Sequence, residues 1–141
     1  MIFKLLGAAA LVLCGGLYAK HSQKHINDEV KEAERLICIF VYLKNEIEEF
    51  DTPLVEALKE KGICGGVDGL LASCTGRLYD AVKESEKLGR GYKSEELRIC
   101  ARVIDRLENE RKILVKKAEE AAVLSRVKGY GIAAALIILL I

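Results

Sequence analysis

Two uncharged apolar runs, residues 5–19 and 129–141, stand on either side of a middle that carries almost every charge of the chain. Runs of this composition are typical of segments that lie in the hydrocarbon of a bilayer. We expect lipid to cover both. The sequence thus predicts a membrane-anchored hairpin with an N-terminal transmembrane helix at 1–19, a cytoplasmic helical domain at 20–128 and a C-terminal membrane segment at 129–141.

Both runs are short for membrane spans. At 1.5 Å per residue they reach only roughly 22 and 20 Å of a hydrocarbon core that is ~30 Å thick. Including residues 1–4 gives the first run the length of a span. We expect the second either to thin the bilayer or to pack beside the first through small residues, namely Gly15, Gly16, Gly129 and Gly131.

The flanking charges predict the side of the membrane on which the middle lies. Lys20 and Lys24 follow the first run, and Arg126 and Lys128 precede the second. Because basic residues concentrate on the cytoplasmic side, both flanks favour a cytoplasmic middle. Two alternatives remain for the N-terminus, a cleaved signal peptide ending at residues 17–19 and a lipid anchor at Cys14. Neither explains the second apolar run.

The five cysteines favour the same compartment. They are odd in number and widely spaced, with no C-x-x-C pair, so neither a zinc ribbon nor a thioredoxin-like site is indicated. Cys38 and Cys100 fall on the apolar faces of predicted helices, where a thiol behaves as a small hydrophobic group. We predict free, reduced thiols, as is usual in the cytoplasm.

Helical periodicity organises the middle of the chain. Apolar residues recur every three or four positions along 20–50, where Phe50 widens the stripe, and again from Leu97 through Ile104 to the second run, which predicts two long amphipathic helices. Between them, Thr52 is the expected cap and Pro53 the first residue of a short helix at 54–61. Residues 64–69 are expected to form a turn-rich connector, with short helices at 70–74 and 78–88, a break at 89–91 and a cap at Ser94. The predicted fold class is all-α.

The two long helices should run antiparallel, because both start at the membrane. Pairing residues whose numbers sum to about 148 brings opposite charges together. The expected ion pairs of this register join the helices at two levels, with Glu46 and Glu49 near Arg98 and Arg102, and Lys31 near Glu119.

No arrangement for catalysis or cofactor binding is evident. His21 and His25 lie one turn apart with Asp28 and Glu29 nearby, but a metal site needs further converging ligands, and interfacial imidazoles explain the pair more simply. The glycines at 65, 66 and 69 lack the lysine and hydroxyl residue of a phosphate loop. The chain has a net charge of +1 with interspersed signs, which disfavours nucleic-acid binding. We therefore expect no enzyme, no metal, no cofactor and no small-molecule substrate.

Charge is concentrated at the end of the hairpin that lies away from the membrane. An acidic run and a basic segment both fall there in the predicted topology, and such runs usually mark solvated helix ends. The functional interpretation is a docking surface for a cytoplasmic partner. Its predicted residues are Glu46, Glu48, Glu49, Asp51, Lys83, Lys87, Arg90 and Lys93.

Three stretches together resemble the stage III sporulation protein AB family. They are the opening Lys4-Leu5-Leu6-Gly7, the pattern L-x-x-E-I-x-x-x-x-T-P-L-x-E-A-L at 43–58, and an ending that runs from Ala118-Glu119-Glu120 through Arg126 and Gly129 into the last apolar run. The middle is shorter than the family's, and the tryptophan usual in the family is missing, since this chain has none.

The resemblance implies a structural subunit of the channel that joins mother cell and forespore during sporulation, placed in the mother-cell membrane around the forespore. It further implies a cytoplasmic bundle similar to the inner-membrane platform domain of type II secretion machines. By the same analogy the partners would be the channel ATPase, stage III sporulation protein AA, and other channel subunits. A generic membrane-anchored coiled-coil adaptor shares every physical feature and stays open as an alternative.

Overall fold

The computed structural model describes residues 2–140, with side chains described at all of these positions except 2–4, 11, 133, 137 and 140. Met1 and Ile141, the outermost positions of the two predicted membrane segments, lie outside the described residues. Every secondary-structure element in the described part is helical, and the long helices pack in a bundle-like manner, so the all-α fold class is confirmed.

Along the chain, one very long helix precedes three short helices and a second very long helix follows them. Helix α1 spans Ile2–Asn45 and continues as a π-helical turn at Glu46–Phe50. Helices α2, α3 and α4 span Leu54–Glu60, Gly66–Ser73 and Gly76–Val82, and a 3₁₀ helix at Lys83–Lys87 follows α4. Helix α5 spans Lys93–Leu140, so both predicted long helices run without a break into the apolar runs.

The chain forms two compact units. One, the lobe, is Lys31–Ile113, and the other, the membrane-end unit, contains the described residues of Met1–Val30 and Leu114–Ile141. These boundaries lie further into the middle of the chain than the predicted segment boundaries at 19 and 129. Packing and hydropathy divide a chain by different properties, so the predicted membrane boundaries stay a prediction.

The lobe has a hydrophobic core made by α1, α5 and the short helices. Its largest fully buried side chain is Phe40, and the short helices contribute Leu58 and Leu70. The predicted stripe on α5 is partly wrong, because Ile99 and Val103 are buried where the sequence favoured Leu97 and Ile104. The long helices and the π-helical turn bury further side chains in this core, namely Ala33, Leu36, Ile39, Leu43, Ile47, Cys100 and Leu107.

Within the lobe, α1 and α5 run in opposite directions. The guanidinium of Arg111 lies 3.4 Å from a carboxylate oxygen of Glu34, and Lys44 acts electrostatically on the thiol of Cys100. The residue numbers 34 and 111 sum to 145, so the observed register is three residues short of the predicted one.

That shift changes the predicted ion pairs. Arg102 binds Glu84, at 2.8 Å, and neither Glu46 nor Glu49. Arg98 has no ion pair in the described lobe, so both predicted pairs at this level are wrong. The physical reason is that Glu84, on the 3₁₀ helix, packs against α5 and reaches Arg102 first. Lys31 and Glu119 fall in different units, and their pairing stays a prediction.

The caps of two helices also differ from expectation. Pro53 has an extended conformation, with φ −57° and ψ 133°, and its carbonyl oxygen accepts hydrogen bonds from the N–H groups of Glu56 and Ala57. Pro53 is therefore the cap residue of α2, not its first helical residue. The Thr52 hydroxyl does not cap the helix, because it donates to a Glu46 carboxylate oxygen at 2.8 Å.

Part of the predicted connector at 64–69 is helical. Gly65 adopts a left-handed conformation with φ 90°, and α3 begins at Gly66 immediately after it. A Cβ at Gly69 would overlap the carbonyl oxygen of Cys64. Glycine at 69 therefore lets the first turn of α3 pack directly against the preceding backbone, which composition alone suggested was a loop.

The membrane-end unit exposes its apolar side chains. Leu13 and Leu17 on α1 are 66% and 67% exposed, and Leu139 on α5 is 82% exposed. One described helix, Leu5–Phe50, is long and apolar enough to cross a membrane.

The glycines of this unit do not make the close helix contact that the sequence predicted. A Cβ added at Gly15, Gly16, Gly129 or Gly131 would meet no atom within 4 Å beyond the local helix backbone. The predicted glycine-mediated packing is therefore wrong. These positions lie beside open space.

Candidate docking surface

The candidate docking surface is built where the π-helical turn ends. Asp51 takes a left-handed conformation with φ 49° and ψ 28°, which ends the turn and reverses the chain toward α2. Aspartate tolerates this conformation better than most non-glycine residues, because its short side chain can form local hydrogen bonds. The hydrogen bond from Thr52 to Glu46 spans the reversal and holds its two sides together.

A second loop, between the 3₁₀ helix and α5, is held by α5 itself. The backbone N–H of Gly89 donates to a carboxylate oxygen of Glu96 at 2.9 Å. The carbonyl oxygen of Tyr92 accepts from the N–H groups of Glu95 and Glu96, so Tyr92 is the cap residue of α5. The predicted cap at Ser94 is wrong, since α5 begins at Lys93 and Ser94 lies in its first turn.

An ion pair joins the two loops. The Lys93 ammonium lies 2.7 Å from a carboxylate oxygen of Asp51. The structure thus brings the end of the predicted acidic run beside the end of the predicted basic segment. Both side chains keep substantial exposure, so the pair contributes about 0.2–1 kcal/mol and mainly orients the loops.

Exposed aromatic side chains flank this ion pair. Phe50 is 67% exposed and Tyr92 is 85% exposed, and each is the sequence neighbour of one ion-pair member. The sequence analysis placed Phe50 on the buried stripe of the first long helix, which is wrong because the π-helical turn rotates it outward. We call Phe50, Asp51, Tyr92 and Lys93 the tip surface.

The other predicted docking residues differ in how exposed their side chains are. Glu48 and Glu49 are exposed on the π-helical turn and Arg90 is exposed on the second loop. Glu46 is half-buried, and its carboxylate accepts the hydrogen bond from Thr52. Lys83 and Lys87 are exposed on the 3₁₀ helix, and neither forms an ion pair within the described lobe. Their role in docking stays a prediction.

A charge cluster that the sequence analysis missed lies on the 3₁₀ helix. The side chain of Glu84 is only 11% exposed, and its two carboxylate oxygens lie 2.8 Å from Arg102 and 3.4 Å from Arg106. A signal was available in the sequence, since Arg98, Arg102 and Arg106 recur every four residues on one face of α5. Such a basic row needs an acidic partner from another element.

A cleft of about 410 Å³ adjoins this cluster between α4 and α5. Arg77, Asp80 and Glu110 contribute charges of both signs to its wall, and Arg77 lies 4.0 Å from Glu110. The mixed charges favour neither an anion nor a cation.

A second polar cluster joins α1 to α2. The Tyr42 hydroxyl donates to a carboxylate oxygen of Glu60, and the Lys61 ammonium lies 4.3 Å from the centre of the Tyr42 ring. The hydrogen bond to Glu60, together with burial and the nearby Glu46 carboxylate, raises the pKa of Tyr42 to about 12. Tyr42 therefore stays a neutral hydrogen-bond donor at physiological pH and ties the two helices together.

The candidate metal ligands do not converge. His25 Nδ1 lies 3.5 Å from a Glu29 carboxylate oxygen, one helical turn away. Within the described residues, no group of three or more His, Cys, Asp or Glu side chains is placed to hold a metal ion.

The cysteines are free thiols in two kinds of environment. Cys100 is fully buried, as predicted, and burial raises the pKa of its thiol to about 11, with a further contribution from Glu96. Burial also raises the pKa of Cys74. The prediction for Cys38 is wrong, because this residue is exposed. It lies beside the buried stripe of α1.

Comparison with known proteins adds no relative. No family model matches the sequence, and neither a curated protein nor a solved structure matches the chain.

Proposed function

We propose that this chain is a membrane-anchored structural subunit of the channel between mother cell and forespore, similar to stage III sporulation protein AB. The apolar ends lie in the mother-cell membrane around the forespore, and the lobe lies in the cytoplasm as a platform like that of type II secretion machines. The lobe docks the channel ATPase, stage III sporulation protein AA, and neighbouring channel subunits. The function is assembly, without a reaction, a metal or a cofactor of its own.

The first support is the division of one chain into a water-facing lobe and a helix suited to lipid. The Leu5–Phe50 helix has the length and composition of a membrane span, and the side chains Leu13 and Leu17 have no protein cover. Basic residues lie between each apolar run and the lobe, which favours a cytoplasmic lobe. Under this proposal the lobe is the part of the chain that partners in the cytoplasm can reach.

The observation that carries the docking role is the tip surface. Phe50 and Tyr92 are large exposed aromatic groups beside an ion pair and close to further exposed charges. Protein interfaces are enriched in aromatic residues at their centres and polar at their rims. Truncating an aromatic anchor at the centre of an interface typically weakens binding by about 2 kcal/mol or more. The surrounding charges would steer and orient the partner.

The test measures binding between the full-length protein in detergent and the purified ATPase, stage III sporulation protein AA. We expect Phe50→Ser together with Tyr92→Ser to weaken binding at least about tenfold, because the central anchors are lost. The matched control is Val41→Ser, an exposed apolar residue on α1 away from the tip, which should bind like the parent chain.

Four outcomes would contradict parts of this proposal. Equal binding by the parent and the tip variant would remove the docking role of the tip surface. Normal spore formation after disruption of the gene would favour the generic coiled-coil adaptor. A mature N-terminus at Cys14 or Lys20, or a C-terminal reporter on the same side as the lobe, would overturn the hairpin anchored by both ends.

A further inference from the structure

An open groove lies between α1 and α5 in the membrane-end unit. Its volume is about 620 Å³, within the range of roughly 300–1,000 Å³ typical of small-molecule sites. Residues of α1 between 12 and 22 and of α5 between 121 and 132 line it. We call it the membrane-end groove.

Small residues create the space in this groove. Gly15, Gly16 and Ala19 line it from α1, and Gly129 lines it from α5. Because an added Cβ at any of these three glycines would meet nothing within 4 Å, the glycines do not serve close packing of the helices. They leave a channel with a mostly apolar wall. Such a wall suits a hydrocarbon chain better than it suits water.

The charged side chains of the groove all have one sign. Arg126 and Lys128 line it on α5, near the end of the apolar run, and none of its described lining residues is acidic. Ser22 and Ser125 add hydroxyl groups to the lining. The polar lining is therefore complementary to an anion that carries an apolar tail.

We propose that the membrane-end groove holds one anionic phospholipid, with its phosphate at Arg126 and Lys128 and one acyl chain along Gly15, Gly16 and Gly129. Basic pockets between membrane helices on the cytoplasmic side are suited to anionic head groups. The acyl chain fills the space that the glycines leave and so links α1 to α5 where the protein itself does not close the gap. This inference uses the membrane attachment of the proposed function but not the sporulation role.

The test uses native mass spectrometry of the full-length, delipidated protein in a non-ionic detergent. The protein is titrated with dioleoyl phosphatidylglycerol or with dioleoyl phosphatidylcholine, which have the same acyl chains and differ in net charge. We expect one saturable phosphatidylglycerol adduct with at least about tenfold preference over phosphatidylcholine, since each of two basic residues near a bilayer surface favours anionic lipid by about fivefold.

Two variants locate the site. Arg126→Gln with Lys128→Gln should lower phosphatidylglycerol affinity about tenfold or more and leave phosphatidylcholine binding unchanged. Lys116→Gln with Lys117→Gln removes the same charge from exposed positions on the same helix outside the groove and should keep the preference. Gly16→Leu, whose side chain would occupy the groove, should reduce the phosphatidylglycerol adduct while circular dichroism shows unchanged helix content.

The proposal is overturned by equal binding of the two lipids, by an unsaturable series of adducts, or by the same loss in both charge variants. It is equally overturned if a second copy of the chain closes the groove and excludes lipid. Flotation with vesicles of phosphatidylcholine alone tests membrane attachment separately from the lipid site. A protein that does not float refutes membrane attachment. A protein that floats but shows no lipid preference in native mass spectrometry refutes the lipid site only.

Discussion

The helices α1 and α5 bury apolar side chains in the lobe and expose them in the membrane-end unit. In the lobe, Leu36 on α1 and Leu107 on α5 are 0% exposed, whereas in the membrane-end unit Leu13 and Leu139 are 66% and 82% exposed. The lobe segments alternate apolar and charged faces, so one stripe can be buried against other helices. The end segments are apolar on every face, so no single stripe is set apart for burial. Amphipathicity therefore explains why one stretch forms a protein core and the other exposes its apolar side chains, as the proposed membrane attachment requires.

The largest expected effect comes from removing a core side chain and an exposed one from the same helix. Phe40→Ala should lower the free energy of unfolding of the lobe by about 3–5 kcal/mol, because it leaves a cavity in the core. Leu13→Ala should change it by less than about 0.5 kcal/mol. Denaturant titration of the full-length protein in detergent, followed by circular dichroism, measures both. Similar losses in the two variants would break the comparison between the units.

An intermediate effect is expected for the charge cluster of the lobe. Glu84→Gln should lower the free energy of unfolding by about 1–2 kcal/mol, because Arg102 and Arg106 lose the carboxylate that they share. The loss stays moderate because both guanidinium groups still reach solvent. Glu110→Gln, whose partner Arg77 lies 4.0 Å away and is more exposed, is the matched control and should cost less than about 0.5 kcal/mol. A double-mutant cycle with Arg102→Gln that shows no coupling to Glu84 would contradict the observed pair.

The effect that is smallest at neutral pH is a pH dependence that comes from the core of the lobe. Cys100 has a pKa of about 11 in the fold against an ordinary value of 9.0. Between these values the unfolded chain loses the thiol proton while the folded chain keeps it, so stability is full below pH 9 and falls as pH rises toward 11. The loss attributable to this thiol should reach about 2 kcal/mol by pH 11.

Unfolding of the parent chain and Cys100→Ala, measured from pH 8 to 11, isolates this contribution from that of the lysines. Cys38→Ala, at an exposed thiol, should show the same decline as the parent because Cys100 is intact. A decline of equal size in Cys100→Ala would show that the buried thiol has no part in it.

Local periodicity predicted the long elements well and the short ones less well. The helices α1 and α5 and the break at 89–91 follow from apolar spacing and glycine, and the structure confirms them. Gly66 and Gly69 have poor helix propensity, yet both lie in α3. A Cβ at Gly69 would overlap the carbonyl oxygen of Cys64, and Gly66 has a positive φ of 65°, so each position favours glycine for a tertiary or backbone reason. Propensity cannot report such a contact before the fold brings the backbones together.

The charged residues of the candidate site could be predicted from the sequence, but its exposed aromatic residue Phe50 could not. The acidic run and the basic segment are visible in the sequence, and the Asp51–Lys93 pair joins them. The exposure of Phe50 was not predictable, since an α-helical continuation would keep it on the buried stripe. The π-helical turn contains more residues per turn than an α-helix and so changes the face on which Phe50 lies, and periodicity taken at 3.6 residues per turn does not predict that change.

Composition and spacing by themselves determined the helical class, the two long helices and the contrast between apolar ends and an amphipathic middle, because each depends on which residue types recur at short range. The tertiary structure decided the register of α1 against α5, the partners of Arg102 and the open groove beside the glycines. Each of these depends on side chains far apart in the chain that compete for one position. A shift of a few residues costs little in local helix energy, so only packing against the short helices selects among the registers.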